Sequence, residues 1–331
     1  MKILFWGTPD FALVSLRALD DEGFDIVGVV TQPDRPAGRG RRLTPSPVKE
    51  WALEEGYPVL TPEFPRGDDF LAELRALEPD ISVVVAYGHI LKPEVLDLPP
   101  MGSFNVHASL LPALRGAAPI NWAIARGFDE SGVTVQRMVQ KMDAGPIVHQ
   151  VRQPILPDET AGELRMRLAE AGAAALVEAL ALIGAGAAEE VEQDHTAATF
   201  APKVGRDVAK IDWTRSASEV AAHVRGMDPV PGAWSPLDGG DPVKLFRPTV
   251  WSAEEVAALD ASGPQANGGP RRPGNEVEPG LVLAADASDG ILIGTGEGAV
   301  SFAEAQPPGK RRMDSADWVN GRGVEAGQRF G

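Results

Sequence analysis

The sequence has 331 residues, 44% apolar and 24% charged, a composition typical of a globular protein long enough for two domains. It contains no cysteine, which excludes disulfides, thiolate nucleophiles and thiolate metal sites. The net charge of −16 argues against a protein that binds nucleic acid over its whole surface.

Strands and helices alternate through the first half of the chain. The apolar run KILFW ends at Gly7, DIVGVVT (25–31) is a second buried strand, and FNVH is a short strand after DISVVVAYG (80–88). Near-continuous Val and Ile runs separated by helices predict a parallel sheet covered on both faces. The predicted helices cover about 10–19, 47–55, 67–77, 119–127 and 160–184.

The sequence pattern changes in the later part of the chain. SGVTVQRMV (131–139) and GPIVHQVRQPI (145–155) still read as antiparallel additions to the first sheet. After the stretch 195–207 the strands become short and turns separate them, which predicts a small β-barrel with one helix at 216–226. The stretch 262–280 is too rich in Gly and Pro to pack and predicts a mobile surface loop. The predicted domains are 1–190 and 207–331, joined by a linker at 191–206.

The run FNVHASLLP places two polar side chains at the end of a strand. Residues two apart lie on the same face of a strand, so Asn105 and His107 are expected to point the same way. The carboxyl ends of parallel strands are where open α/β sheets bind ligands. A histidine that is hydrogen-bonded inside the structure fits the same spacing, and the spacing leaves both interpretations open.

Three other segments offer candidate groups, each with an ordinary alternative. GTPDF (7–11) follows the first strand but lacks the glycines of a dinucleotide fingerprint, which makes a nicotinamide cofactor a poor interpretation. Asp143, in KMDAGPI, is a candidate carboxylate or simply a turn residue. AYGHIL (86–91) presents backbone groups and apolar side chains that suit either a flat ligand or the core.

A basic loop at 31–49 stands out in this acidic chain. It carries Arg35, Arg39, Arg41, Arg42 and Lys49 against Asp34 alone. Such a loop is either a solvated excursion or an arm that contacts phosphates through the planar fork of arginine.

Together these motifs resemble the methionyl-tRNA formyltransferase family. GTPDFA, TQPDRPAGRGRR, VVVAYGHIL, NVHASLLPALRGAAPI and MDAGPI occur in the order and approximate spacing of that family. APKVGRDVAKIDW and QPPGKRRM resemble its C-terminal domain, so the likeness spans nearly the whole chain. The Asn-x-His, SLLP and Asp-x-Gly elements alone mark the wider group that uses 10-formyltetrahydrofolate. The basic loop and the second half narrow the resemblance to the tRNA member.

The resemblance implies an α/β fold: a Rossmann-like formyltransferase domain with a mostly parallel sheet, followed by a small OB-like β-barrel domain. It implies formyl transfer from 10-formyltetrahydrofolate to initiator methionyl-tRNA, without a metal. The start of the chain lacks a signal-peptide pattern and no stretch is long and apolar enough to span a membrane, so a cytoplasmic protein is expected, and we expect a monomer. The implied catalytic residues are Asn105, His107 and Asp143. The implied folate-binding residues are Tyr87, Gly88, His89, Ile90, Leu91, Ser109, Leu110, Leu111, Pro112 and Gly145.

The same resemblance assigns residues to the tRNA. The basic loop would enter the acceptor stem, and clusters in the second half would contact further phosphates. Those residues are Arg35, Arg39, Arg41, Arg42, Lys244, Arg247, Lys310, Arg311 and Arg312. Thr8 and Phe11 are the predicted contacts for the methionine and the acceptor end. Residues 205–331 nevertheless carry 13 Lys and Arg against 18 Asp and Glu, so tRNA binding must depend on local clusters.

Three other functions stay open at this point. A hydrolase could release formate from 10-formyltetrahydrofolate with the same three residues. A related transferase could formylate a nucleotide sugar or a ribonucleotide amine. A tRNA-binding protein could retain the scaffold without catalysis, although the intact Asn105, His107 and Asp143 argue against it.

Overall fold

The computed structural model describes residues 1–37, 40, 42–262, 277–286 and 290–331. They form two compact units: residues 1–120, 130–155 and 163–202 make the first, and residues 121–129, 156–162 and 203–331 make the second. Residues 191–202, from the predicted linker, therefore belong to the first unit. Most of the predicted surface loop at 262–280 lies outside the described residues.

A seven-stranded sheet forms the centre of the first unit. Its order is β5-β2-β1-β6-β7-β8-β9, with parallel pairing from β5 to β7 and antiparallel pairing of β8 and β9. This is the predicted, mostly parallel α/β sheet. A separate hairpin, β3–β4, forms within the basic loop. The strands are β1 (Lys2–Gly7), β2 (Asp25–Val30), β3 (Arg35–Ala37), β4 (Arg42–Thr44), β5 (Val59–Leu60), β6 (Ile81–Val85), β7 (Ser103–His107), β8 (Glu130–Arg137) and β9 (Ile147–Pro154).

Helices connect these strands and cover the sheet. α1 buries Phe11, Leu16 and Leu19, as its apolar spacing predicts. α2 begins where the Ser46 side chain accepts a hydrogen bond from the Lys49 backbone N–H. The first six helices are α1 (Asp10–Asp21), α2 (Pro47–Glu54), α3 (Asp68–Ala76), α4 (Pro93–Leu96), α5 (Pro119–Ala125) and α6 (Ala161–Gly184). No helix among the described residues is long and apolar enough to cross a membrane.

The two faces of β7 have different surroundings. Val106 packs toward α6, where a side chain at Gly172 would come within 3.1 Å of Val106 and 3.4 Å of Val133. The close approach of helix and sheet thus requires a small residue at position 172. Because side chains alternate along a strand, Asn105 and His107 occupy the opposite face.

The second unit contains a six-stranded antiparallel sheet of order β10-β11-β14-β13-β12, with β15 paired to β14. Its strands are β10 (Trp234–Pro236), β11 (Pro242–Trp251), β12 (Val282–Asp286), β13 (Gly290–Gly294), β14 (Ala299–Gln306) and β15 (Met313–Asp314). The last residues of the chain join the two edge strands. Val282 N–H donates to Gln328 O at 2.9 Å, and Gly331 N–H donates to Pro236 O at 3.0 Å. The C-terminal segment thereby closes the sheet into the predicted small barrel.

Within the described part of the second unit, three helices accompany the barrel: α7 (Ala217–Met227), α8 (Ala253–Ser262) and α9 (Ser315–Asn320). α7 matches the predicted helix and starts with a capping box formed by Ser216 and Glu219. The core contains Trp213, whose ring meets Phe302 edge-on at 5.9 Å. The sequence pattern predicted only one helix here, because α9 is short and α8 lacks a clear apolar face.

His223, on α7, is expected to make the stability of the second unit dependent on pH. Its Nε2 is buried without a hydrogen-bond partner among the described residues, and burial lowers the pKa of the ring below its usual 6.5. The unfolded chain then binds the proton more readily, so this contribution is complete above about pH 6.5 and is lost as the pH falls. As the pH falls from about 8 to about 5, we expect the melting temperature of His223→Gln to rise relative to that of the unsubstituted protein. A difference that stays constant in thermal melts across that range would contradict this interpretation.

Candidate active site

A polar patch lies on one face of the antiparallel part of the first sheet. In the register of β7 and β8, Asn105 stands opposite Gln136, and His107 stands opposite Thr134. Residues in such cross-strand pairs are neighbours. Asn105 is partly exposed, whereas the other three are buried. This patch presents an amide and an imidazole together, as the sequence pattern predicts.

His107 has a defined tautomer. Its Nε2 lies 3.1 Å from the carbonyl oxygen of Leu114, and a carbonyl can only accept, so Nε2 carries the hydrogen. The other ring nitrogen, Nδ1, lies 3.7 Å from Oδ1 of Asp143, which is ion-pair range but longer than a hydrogen bond. His107 can therefore donate toward a substrate only from Nδ1, and only when the ring is protonated.

Asp143 lies in the loop between β8 and β9 and adopts a left-handed backbone conformation, with φ of 49°. Its carboxylate is held by two donors: Gly116 N–H reaches Oδ2 at 2.8 Å, and Gln136 Nε2 reaches Oδ1 at 3.2 Å. The side chain is only 14% exposed. The fold thus brings the carboxylate to the imidazole across 36 residues of sequence, which spacing alone did not reveal.

Hydrogen bonds to its backbone fix the predicted folate segment 109–112. The buried hydroxyl of Thr134 donates to Ser109 O at 2.7 Å and accepts from Leu111 N–H at 3.1 Å. Gln150 donates to Leu111 O at 3.1 Å. Leu111 itself is buried, whereas Leu110 and Pro112 are partly exposed. Thr134 and Gln150 are supporting residues that the sequence analysis did not identify.

The predicted pterin loop divides into buried and exposed residues. Tyr87 packs edge-on against Trp6 at 5.2 Å, and Leu91 is 4% exposed within the same core. The Tyr87 hydroxyl is buried without a hydrogen-bond partner among the described residues, and burial raises its pKa to about 12. Ile90 is 83% exposed. Packing in the core accounts for the presence of Tyr87 and Leu91. Residues 88–90, which lie between them, stay accessible to solvent.

Gly88 and Gly145 both need to be glycine. Gly88 has φ of +92°, and a Cβ there would lie 2.3 Å from Gln32 Nε2. A Cβ on Gly145 would lie 1.9 Å from the carbonyl oxygen of Arg137. Between Gly88 and Ile90, the ring of His89 lies 5.8 Å from that of Tyr87.

The predicted contacts for the acceptor end lie where β1 leads into α1. The Thr8 hydroxyl donates to Tyr87 O at 3.0 Å, which joins this turn to the pterin loop. Phe11 is 7% exposed, and the guanidinium of Arg165 lies 5.7 Å from the centre of its ring. Phe11 is thus mainly a core residue of α1.

The predicted tRNA contacts differ in how exposed they are. Arg35 and Arg42 lie exposed on the β3–β4 hairpin, and Arg39 and Arg41 lie outside the described residues. In the second unit Lys310, Arg311 and Arg247 are exposed and Lys244 is partly buried. Arg312 has a structural role: it pairs with Asp228 and Glu304 and stacks on Phe246 at 3.9 Å. Arg312 is therefore already paired inside the second unit.

No group of three or more His, Asp or Glu side chains in the described part of the chain has a spacing that could hold a metal ion. The candidate site offers hydrogen bonding and proton transfer by an amide, an imidazole and a carboxylate. This arrangement suits stabilisation of an oxyanion next to a carbonyl carbon.

Comparisons with known proteins identify relatives over the whole length. The formyl transferase family model matches residues 1–180, and the formyl transferase C-terminal domain model matches residues 203–323. The chain is 45% identical over 330 residues to the methionyl-tRNA formyltransferase of Symbiobacterium thermophilum, covering 100% of this chain and 95% of the relative. It is 42% identical over 332 residues to that of Bacillus cytotoxicus, covering 100% of this chain and 99% of the relative.

A solved structure shows the same fold. It is the N-formyltransferase of Helicobacter canadensis in complex with folinic acid and dTDP-3-aminofucose, with a TM-score of 0.64 and 17% identity. The match covers 95% of this chain and 100% of that one. At this identity the likeness supports the architecture and does not by itself assign a substrate.

Proposed function

This chain belongs to the methionyl-tRNA formyltransferase family, and from that premise we propose that Asn105, His107 and Asp143 carry out the formylation of methionyl-tRNA. The formyl donor is 10-formyltetrahydrofolate, the co-substrate of the family. The observation that carries the proposal is the placement of the His107 ring 3.7 Å from the Asp143 carboxylate, on the strand face that also bears Asn105.

The reaction exchanges one carbon–nitrogen bond for another. The α-amino nitrogen of methionyl-tRNA forms a bond to the formyl carbon, and the bond from that carbon to N10 of the folate breaks. The amine loses one proton, and N10 gains one. An α-amino group titrates near ~8, so a large neutral fraction is available without a strong base. The main tasks of the protein are orientation of the reactants and stabilisation of the tetrahedral oxyanion.

Each of the three residues has a part in this scheme. The Asn105 amide N–H donates to the oxyanion. The Nδ1–H of protonated His107 donates a second hydrogen bond to the oxyanion and then supplies the proton that N10 gains, and the proton that the amine loses returns to Nδ1 and restores the ring. Asp143 stabilises the positive charge on the ring, because opposite charges at this distance in a mostly buried site attract. Since Leu114 O occupies Nε2, the proton must leave from Nδ1, the nitrogen next to Asp143.

The other predicted site residues complete the proposal. Residues 88–90 and 109–112, with Gly145, line the folate site. Thr8 contacts the acceptor end, and Phe11 supports the same turn from the core of α1. Arg35, Arg39, Arg41 and Arg42, with Lys244, Arg247, Lys310 and Arg311, contact tRNA phosphates. The catalytic domain at 1–190, the linker at 191–206, the monomeric state and the cytoplasmic location stay predictions.

Binding of tRNA is expected to weaken steeply as salt increases, because each phosphate contact releases counterions. Arg42→Ala, or the pair Lys310→Ala and Arg311→Ala, should lower affinity and reduce the salt slope by about 1 for each phosphate-binding side chain removed. Filter binding or fluorescence anisotropy over a salt series measures both quantities. Arg152→Ala is the matched control, since this exposed arginine on β9 pairs with Glu130. A slope that these substitutions leave unchanged would contradict the assigned contacts.

One assay tests the activity itself. The protein is mixed with formyl-labelled 10-formyltetrahydrofolate and charged initiator methionyl-tRNA, and the label is followed. We expect the label on methionyl-tRNA, with little turnover when the tRNA is omitted. Formate released without tRNA would indicate a hydrolase, label on an added nucleotide sugar or ribonucleotide amine would indicate a related transferase, and no turnover would indicate a binding protein.

A further inference from the structure

A fully buried arginine lies behind the candidate active site. Arg115 is 1% exposed, and its guanidinium donates to Oε1 of Gln193 from Nε at 3.2 Å and from Nη2 at 2.6 Å. Nη2 also lies 3.0 Å from Nδ1 of His195. A buried cation usually has a carboxylate partner. Here the acceptor of two N–H groups is a neutral amide, which suggests that Gln193 passes the interaction on to other groups.

The other end of Gln193 reaches the loop that holds Asp143. Its Nε2 lies 2.7 Å from Gly145 O, 3.1 Å from Asp143 O and 3.2 Å from Gln136 Oε1. Two amide hydrogens are thus shared among three oxygens. Gln193 is 6% exposed, so water does not replace these contacts easily.

A second amide completes the connection. Gln136, whose oxygen accepts from Gln193, donates its own Nε2 to Asp143 Oδ1 at 3.2 Å. Donors and acceptors therefore run in one direction from the Arg115 cation through two amides to the Asp143 carboxylate. Hydrogen bonds in such a chain polarise one another and strengthen the last bond.

The network also controls the backbone at Asp143. This residue is held at φ of 49°, a conformation that costs free energy for a residue other than glycine. Gln193 binds the carbonyl groups on both sides of the turn, those of Asp143 and Gly145. Gly116 N–H, directly after Arg115, binds the other carboxylate oxygen.

We infer that Gln193 is a positioning residue for formyl transfer: its amide N–H groups fix the turn and the Gln136 side chain that together aim Asp143 at His107. Gln193 does not touch the reacting atoms in this arrangement. The inference rests on the proposed role of Asp143, and it assigns a function to a residue that lies 50 positions farther along the chain.

Substitution Gln193→Glu separates this role from mere support of Arg115. A carboxylate remains an acceptor for the guanidinium, but it presents an oxygen, not an N–H, to the three oxygens around Nε2. We expect kcat to fall by about 10- to 100-fold, since a displacement of about 1 Å in a catalytic group has this effect. The KM for 10-formyltetrahydrofolate should change less than about threefold. Gln153→Glu is the matched control, because Gln153 on β9 also accepts from an arginine, Arg167.

A double-mutant cycle with Asp143→Asn completes the test. The loss in Gln193→Glu should largely disappear when Asp143 is already Asn, because residues that act as a unit are not additive. Wild-type kcat in folded Gln193→Glu, or fully additive losses, would overturn the inference for Gln193. Wild-type kcat in Asp143→Asn would instead overturn the proposed function of Asp143. Gln193→Met, which removes donor and acceptor together, should be at least as slow; if it retains wild-type kcat, the inference also fails.

Discussion

His107→Ala is expected to lower kcat for formylation of methionyl-tRNA by about 10²- to 10⁴-fold, the range for loss of a general acid. The KM for 10-formyltetrahydrofolate should change much less, because the imidazole interacts with charge that develops in the transition state. Steady-state formylation assays with purified protein and charged initiator tRNA measure both values. The ring is buried and its Nε2 is bound to Leu114 O, so thermal melts must show that the variant is folded.

A second substitution, His107→Gln, distinguishes the catalytic role from a structural one. The amide that it introduces can still donate to Leu114 O but cannot carry a proton to the substrate. We expect His107→Gln to be about as slow as His107→Ala while it retains more stability. Recovery of most of the activity in His107→Gln would mean that His107 serves as a hydrogen-bonded structural residue. His149→Ala, on β9, is a control for removal of a partly buried imidazole elsewhere in the same sheet.

Asp143→Asn is expected to lower kcat by about 10²- to 10³-fold, since the imidazolium would lose its negative partner. The substitution also affects the loop. Gly116 N–H and Gln136 Nε2 both donate to the carboxylate, so one of them would face the NH2 group of an asparagine. An unsatisfied buried donor costs about 1–3 kcal/mol, and thermal or denaturant unfolding should show a loss of this size.

The kinetic effect of Asp143→Asn should exceed what this loss of stability explains. Assays well below the melting temperature, where the variant is fully folded, separate the two effects. Asp212→Asn is the control, because the Asp212 carboxylate also accepts two hydrogen bonds from Thr214 but belongs to the second unit and is not a member of the candidate site. Turnover near that of the unsubstituted protein would remove Asp143 from the mechanism.

The local pattern of the sequence determined the elements on which this site stands. Alternation along 103–107 already placed Asn105 and His107 on one face, and apolar runs between helices predicted the parallel sheet. The helix at 217–227 follows from its capping residues and apolar spacing. These features depend on neighbouring residues, whose geometry is set by the period of a strand or a helix.

Short elements were not predictable in the same way. The β3–β4 hairpin inside the basic loop has three residues in each strand, and the closure of the barrel depends on isolated bridges made by Arg329 and Phe330 near the C-terminus. Neither carries enough periodicity to be read from the pattern. The barrel closure is stabilised by pairing with strands that are distant in sequence, and the hairpin is stabilised by pairing between its two short strands. Helix and strand propensities of single residues report neither kind of pairing.

The sequence by itself determined which residue types were available for catalysis, the strand that presents two of them, and the family to which the motifs belong. Only the tertiary structure decided that Asp143 meets His107, that Leu114 O occupies Nε2 of the ring, and that Arg312 is paired inside its own unit. It also brought Arg115, Gln136 and Gln193 into one hydrogen-bond network. The physical reason is that buried polar groups must find partners wherever the folded chain supplies them, and those partners lie far apart in sequence.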